Sequence, residues 1–192
     1  MTRLPRAFFA RPTVTVARAL LGCYLVHDSP QGQAIGRLVE VEAYCGPRDP
    51  ASHAFRRTRR SEVMWGPPGT AYVYLSYGAH ACINVVTEPF GQPGAVLVRA
   101  LEPVDGIALM QRRRRSDDLL HLASGPGRLT QAMGITLAHN QTDLVTGPLY
   151  VARANDLVGR IATTPRIGIS VATDRPWRFV VRGSPFLSRR VV

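Results

Sequence analysis

The chain has 192 residues, and its 24 basic and 13 acidic side chains give it a formal net charge of +11. This length favours one domain, which we expect to span residues 1–192, and the 45% of hydrophobic residues excludes an intrinsically disordered chain. No apolar run is long enough to cross a bilayer and no secretory signal is recognisable, so we expect a cytoplasmic protein, nucleoid-associated in a prokaryote, with no membrane partner.

The amino-terminal part of the chain predicts one helix followed by strands. Apolar residues at helical spacing predict a helix over residues 13–21, which Gly22 ends. The segments that follow are a short strand over 23–27, a turn at 29–32 and a long strand over 34–44. Residues 45–69 predict a long loop, because they include four prolines and three glycines.

The remaining elements alternate between strands and short helices. Residues 71–76 and 81–87 predict a hairpin that turns near Tyr77 and Gly78. Helices are predicted over 104–114 and from Ser124-Gly125-Pro126 through Met133, the second with Ser124 as its N-cap and Gly134 as its end. Further strands are predicted over 95–100, 149–153, 167–171 and 177–182. This order predicts an α+β fold, a single mixed domain with a mainly antiparallel sheet.

The cysteines and histidines indicate neither a disulfide framework nor a metal centre. The chain has three cysteines, an odd number, and they are widely spaced with no Cys-x-x-Cys pair. The five histidines are scattered and form no His-x-His or His-Glu-x-x-His pair. We therefore expect reduced thiols and no bound metal.

All 24 basic residues are arginines. Guanidinium groups bind phosphate in a bidentate manner and stack on bases, so the composition favours a nucleic-acid partner. A solvated surface in an arginine-rich proteome is the alternative. Because the chain has no lysine, no lysine amine can form an imine with a sugar aldehyde.

Two carboxylates occupy one face of the predicted strand over 34–44. Glu40, Glu42 and Tyr44 alternate along it, and alternate residues of a strand point to the same face. Paired carboxylates suit acid–base chemistry, whereas an exposed polar face is the simpler explanation of the pattern. His53 in the following loop and Tyr44 on the same face favour the functional interpretation.

Tyrosines and one asparagine mark the predicted hairpin. Tyr72 and Tyr74 share a face, and core packing alone would explain Tyr72. Tyr77 lies near the tip, where an exposed aromatic side chain can wedge between base pairs. Asn84 on the return strand is either a surface group or a buried group that needs polar partners, which a base edge would supply.

Arginines supply the remaining candidates. Arg99 interrupts an apolar strand, and a buried arginine needs an acidic or phosphate partner, for which Glu42 is the first candidate. Arg128 lies near a predicted helix start that could hold a phosphate. Four arginines of the loop either contact phosphate or are simply solvated side chains: Arg56, Arg57, Arg59 and Arg60.

Taken together, these motifs resemble the alkyladenine (3-methyladenine, or methylpurine) DNA glycosylase family. The segments that carry the resemblance are Val-Glu-Val-Glu-Ala-Tyr at 39–44, the loop histidine His53, Pro-Gly-Thr-x-Tyr-Val-Tyr-x-x-Tyr-Gly at 68–78, Asn84, Val-Arg-Ala-Leu-Glu-Pro at 98–103, Ser-Gly-Pro at 124–126 and Phe-Val-Val-Arg-Gly-Ser-Pro at 179–185. The resemblance covers about residues 16–187. It implies a curved antiparallel sheet, flanking helices and a protruding hairpin. Ala79 departs from the bulkier residues familiar beside the hairpin tip.

The resemblance also implies roles for individual residues. Glu42 would activate a water, which Arg99 and the backbone carbonyl of Ile167 would help to hold. Three side chains would line the pocket for an extruded base: Tyr44, His53 and Tyr74. Tyr77 would fill the gap left in the duplex, and Asn84 would face the purine edge and disfavour guanine. Glu40 matches the motif but receives no catalytic role.

The reaction implied is hydrolysis of the N-glycosidic bond of a flipped, alkylated purine in duplex DNA, which leaves an abasic site uncut. The lesions implied are 3-methyladenine and 7-methylguanine, with hypoxanthine and ethenoadenine as further candidates. We expect a monomer without a cofactor. Two alternatives remain open: a nucleoside or glycoside hydrolase that uses Glu40 and Glu42 as a carboxylate pair, and a non-enzymatic nucleic-acid-binding module.

Overall fold

The computed structural model describes residues 1–76, 78–154 and 159–191. Nine strands within these residues form one sheet: β1 (Thr2–Arg3), β2 (Tyr24–Ser29), β3 (Gly32–Tyr44), β4 (Ala71–Ser76), β5 (His80–Thr87), β6 (Gly94–Asp105), β7 (Leu149–Arg153), β8 (Ile161–Thr164) and β9 (Arg178–Val181). The α-helices are α1 (Arg6–Phe9), α2 (Thr13–Leu20), α3 (Ile107–Arg114) and α4 (Pro126–Met133). The predicted α+β class is confirmed.

The described strands pair antiparallel in the order β1-β7-β2-β3-β6-β5-β4, and β9 pairs with both β3 and β8. The segment of β3 from Glu40 to Glu42 has β6 on one edge and β9 on the other. Irregular register on either side of Glu40 interrupts the β3–β6 pairing. The two carboxylates therefore lie in the interior of the sheet and not at an edge.

Apolar side chains from the sheet and from the helices fill the core. Val41 and Ala43 of β3 point into it, together with Leu20 of α2 and Phe179 of β9, and all four are buried. The alternation along β3 thus separates apolar residues from the carboxylates, as the sequence predicted. The expectation of a solvated polar face is wrong, because Glu40 and Glu42 have no exposed area.

The loop over residues 45–69 contains three single 3₁₀ turns: Gly46–Arg48, His53–Phe55 and Glu62–Trp65. Ser52 begins the second turn, and its side chain accepts a hydrogen bond from the backbone N–H of Ala54. This turn places His53 against the hairpin of β4 and β5.

The predicted starts of α3 and α4 differ in the structure. The helix predicted over 104–114 begins at Ile107, because β6 continues to Asp105 along the length of β3. Gly106 between them has φ of +69°, and a Cβ there would collide with the backbone oxygen of Gln33. Gly125, not Ser124, occupies the N-cap of α4, since Ser124 forms a bridge to Ala100 of β6.

The strand predicted over 167–171 is wrong. The segment has no strand. Besides β3, β9 pairs with β8, a strand that the sequence analysis did not predict. The side chain of Arg166 instead donates hydrogen bonds to Asp49, and the backbone N–H of Ile167 donates one to Glu42. These contacts, rather than strand pairing, hold the segment in place. The predicted hairpin and the helix ended by Gly22 are confirmed.

Candidate active site

A cavity of about 630 Å³ opens where the loop over 45–69, the hairpin and the segment around residue 167 meet. This volume suits a ligand the size of a nucleobase with room for its sugar. The predicted site residues in its wall are Tyr44, His53, Arg60, Tyr74, Asn84, Arg99 and Ile167. The structure therefore brings together residues that lie far apart in the chain.

Glu42 lies directly behind this wall. Its Oε1 accepts a hydrogen bond of 2.7 Å from the backbone N–H of Ile167. Its Oε2 accepts one of 2.9 Å from the hydroxyl of Tyr44 and one of 3.4 Å from Nη1 of Arg99. All three donor residues line the cavity. Burial raises the pKa of the Glu42 carboxyl, and the Arg99 charge and the two other donors oppose that rise.

Arg99 bridges the two carboxylates of β3. Its Nε donates to Glu40 at 3.1 Å, while its Nη1 reaches Glu42 at 3.4 Å. The expected partner Glu42 is thus only one of two, and Glu40 is the nearer. The guanidinium is 11% exposed, on the cavity side.

Tyr44 presents an aromatic face to the cavity and its hydroxyl to Glu42. The guanidinium of Arg166 stacks behind it, with its carbon 4.7 Å from the ring centroid. Burial, and then the Glu42 charge, raise the pKa of the Tyr44 hydroxyl well above its usual range, so the phenol stays neutral.

Three aromatic side chains that line the cavity cluster together: His53, Tyr72 and Tyr74. The rings of His53 and Tyr74 have centroids 4.6 Å apart, and those of Tyr72 and Tyr74 are 5.2 Å apart. Nδ1 of His53 lies 2.9 Å from the Tyr72 hydroxyl. Although His53 is exposed, the partial desolvation of its ring in the cavity and the Arg60 charge lower its pKa, so the imidazole is neutral near neutral pH. Arg60 also stacks over Tyr74, 4.7 Å from its centroid.

Asn84 is a buried polar residue with a partner of its own. It is 4% exposed, and its Nδ2 donates to the backbone oxygen of Tyr72 at 3.1 Å. This bond fixes the amide plane at the cavity wall.

The five candidate phosphate contacts are all exposed. Arg57 nevertheless donates two hydrogen bonds to Glu62. Arg128 donates to Ser124 at 3.3 Å. Tyr77, the predicted wedge, lies outside the described residues.

The sequence reading missed one buried ion pair beside the site. Both terminal nitrogens of Arg166 donate to Asp49, at 2.5 Å and 2.8 Å, and neither side chain is exposed. This pair anchors the residue that precedes Ile167. The two partners are 117 positions apart, so no local pattern could have indicated the contact.

Within the described residues, no group of three or more His, Cys, Asp or Glu side chains could hold a metal ion. The cysteines are free thiols. The described part of the chain also contains no helix that is both long and apolar enough to cross a membrane.

Comparison with known proteins points to a single family. The family model described as methylpurine-DNA glycosylase matches residues 7–185. A protein of Methanoculleus marisnigri is 56% identical over 192 residues, covering 97% of this chain and 99% of the relative. One of Prosthecochloris aestuarii is 48% identical over 98% and 92%, and one of Carboxydothermus hydrogenoformans 46% over 97% and 99%. All three carry the name "Putative 3-methyladenine DNA glycosylase".

Proposed function

The chain belongs to the methylpurine-DNA glycosylase family and is a DNA glycosylase, and from this premise we propose that it removes alkylated purines from duplex DNA by a water-dependent, monofunctional reaction. The substrates proposed are 3-methyladenine and 7-methylguanine, with hypoxanthine and ethenoadenine as neutral lesions to test beside them. The product is an abasic site in an intact strand. We infer that the enzyme acts as a monomer in the cytoplasm.

One observation carries the proposal. A single cavity is lined both by three groups that all bond to the buried Glu42 and by an aromatic cluster that includes a neutral histidine. A purine methylated at N3 or N7 is cationic, and aromatic faces attract cations by about 0.5–2 kcal/mol. A protonated His53 would repel such a base, so its lowered pKa suits this substrate.

The target base reaches the cavity only if its nucleotide leaves the duplex, at a cost of a few kcal/mol that is smallest at a damaged pair. We propose that Tyr44, His53 and Tyr74 hold the extruded base and that Asn84 faces the purine edge, where it disfavours guanine. In this proposal Tyr77, which follows β4, stacks into the gap in the duplex.

Glu42 is the proposed general base. A carboxylate has about four acceptor sites, and Ile167, Tyr44 and Arg99 occupy three of them. The remaining site is where we place the proton of the attacking water, with Arg99 and the backbone carbonyl of Ile167 as its other contacts. The water oxygen bonds to C1′, Glu42 takes the proton, and the electron pair of the C1′–N bond neutralises the departing purine.

Phosphate contacts are proposed for Arg56, Arg57, Arg59, Arg60 and Arg128. Arg60 stands over Tyr74 and carries the same charge as the lesion. We therefore propose that it turns toward a phosphate when DNA binds, which would free the ring for the base.

The alternative function, a nucleoside or glycoside hydrolase that uses Glu40 and Glu42 as a carboxylate pair, has little support from the geometry. Glu40 accepts hydrogen bonds from Arg99, Arg178 and Ser188, and of these three donors only Arg99 lines the cavity, whereas all three donors to Glu42 line it. It is therefore poorly placed to donate a proton to a leaving group or to bind a sugar.

The test is single-turnover excision of 7-methylguanine from a duplex, with abasic sites revealed by alkali. Glu42→Gln should lower the rate about 10²–10⁴-fold, because a carboxamide cannot accept the water's proton, and should leave lesion binding within a few-fold. Glu102→Gln is the matched control, a carboxylate paired with Arg37 at 3.7 Å and 40% exposed. Wild-type protein that releases the base from the free nucleoside but not from the duplex, or Glu42→Gln with near-parental excision, would refute the proposal.

A further inference from the structure

Glu40 accepts four hydrogen bonds, one more than Glu42. Its Oε1 accepts from Nε of Arg178 at 2.8 Å, from Nε of Arg99 at 3.1 Å and from the hydroxyl of Ser188 at 2.7 Å. Its Oε2 accepts from the backbone N–H of Ser188 at 2.7 Å. Buried Arg178, partly buried Arg99 and the segment after β9 therefore fix one carboxylate that does not line the cavity.

The position of Glu40 governs Arg99. Glu40 and Glu42 are alternate residues of one strand, and the guanidinium of Arg99 spans the gap between them. Its bond to Glu40 is the shorter, so Glu40 limits how closely Arg99 approaches Glu42. Arg178 in turn shares the Glu40 oxygen that Arg99 uses, and Ser188 shares it as well.

We propose that Glu40, held by Arg178 and Ser188, is a positioning residue that aims Arg99 at the cavity and sets how strongly Arg99 neutralises Glu42. The inference rests on the proposed function, because it assigns the partners of the same base. In this proposal the segment around Ser188 has a role in the active site, although Ser188 lies 148 positions after Glu40 in the chain.

Two substitutions should shift the pKa of Glu42 in opposite directions. The groups that face Glu42 are Arg99 from β6, Tyr44 and Glu40 from β3 and the N–H of Ile167, with Arg166 and Tyr74 farther off. The negative charge of Glu40 raises the pKa of Glu42, and the positive charge of Arg99 lowers it.

Glu40→Gln removes the negative charge that raises the pKa of Glu42, and it frees Arg99 to approach Glu42. The pKa of Glu42 should therefore fall. Arg178→Gln leaves Glu40 to compete harder for Arg99, so the pKa of Glu42 should rise.

The experiment is the pH profile of single-turnover excision of 7-methylguanine, a lesion whose departure needs no added proton. The acidic limb of the profile then follows the ionisation of Glu42. Glu40→Gln should move the limb to lower pH and lower the plateau on the order of 10²-fold, the usual effect of misplacing a reacting group. Arg178→Gln should move the limb to higher pH, and Glu102→Gln should leave it in place. His53 also titrates at the cavity, but it contacts neither Glu40 nor Arg178, so its effect is common to all variants.

Thermal unfolding of each variant checks that it folds, because both substitutions leave a buried charge with fewer partners. Ser188→Ala is the milder third variant, since it removes one hydroxyl from a partly buried residue and keeps the backbone donor. It should move the limb in the same direction as Arg178→Gln, by less.

Folded variants whose limbs coincide with that of wild type would overturn the inference and reduce Glu40 to a structural ion pair, whatever their plateau rates. Inactivity of the wild-type protein on the lesion duplex would instead overturn the proposed function.

Discussion

The hydroxyl of Tyr44 offers a test of Glu42 that leaves the aromatic wall intact. In Tyr44→Phe the ring keeps its place between the cavity and Arg166, and the one loss is the 2.9 Å hydrogen bond to Oε2 of Glu42. A donor to the charged form of a carboxyl favours ionisation, so its removal should raise the pKa of Glu42 further above its usual range. The acidic limb of the excision profile should therefore move to higher pH.

The expected size follows from the charge on the acceptor. A hydrogen bond to a charged group contributes about 1.5–3 kcal/mol, and each 1.36 kcal/mol is about a tenfold change in an equilibrium. On the acidic limb, excision of 7-methylguanine by Tyr44→Phe should thus fall on the order of ten- to a hundredfold. At higher pH, where Glu42 is ionised in both proteins, the rates should agree within a few-fold.

The assay is single-turnover excision across the acidic and neutral range, corrected for depurination in samples without enzyme. Tyr44→Leu is the comparison variant, because it loses both the hydroxyl and the stacking face and should be slower at every pH. A Tyr44→Phe profile that coincides with wild type, or a limb displaced to lower pH, would show that Glu42 is not the group that titrates.

Further predictions concern stability, DNA binding and the course of the reaction. Asp49→Asn should destabilise the fold by about 3–5 kcal/mol, because it leaves the buried Arg166 without its counter-charge, and thermal unfolding should show a drop of about 6–20 °C; Asp143→Asn, which breaks the partly exposed pair with Arg6, should cost no more than about 1 kcal/mol. Binding to undamaged duplex should weaken with salt along a slope of about −4 to −5 for about five phosphate contacts, and Arg59→Ala should reduce that slope by about 1, with Arg57→Ala smaller in effect because Glu62 already holds its guanidinium. Borohydride should trap no protein–DNA adduct and no nick should appear before alkali, since the chain has no lysine to form an imine; an adduct in substantial yield would refute the water mechanism.

Local pattern was sufficient for much of the fold. Strict alternation along β3 and the paired strands around Gly78 allowed both to be predicted, because side chains on strands repeat every two residues. Helical spacing followed by Gly22 likewise located α2. The alternating apolar residues at 167–171 misled the same argument, since Arg166 and Ile167 are held by partners on β3 and in the loop that follows it.

The chain by itself determined which side chains could perform the chemistry, namely a carboxylate and a tyrosine on one face of a strand, a loop histidine and an arginine in an apolar strand. Spacing and chemistry alone could not tell Glu40 from Glu42, and at the level of the sequence only the resemblance to a known family gave them different roles. Tertiary structure separated them by giving Glu40 the contacts to Arg178 and Ser188 and giving Glu42 the contacts to Ile167 and the cavity wall. These contacts join residues 125 to 148 positions apart, and periodicity cannot specify such pairs because they depend on which strands and loops the folded sheet brings together.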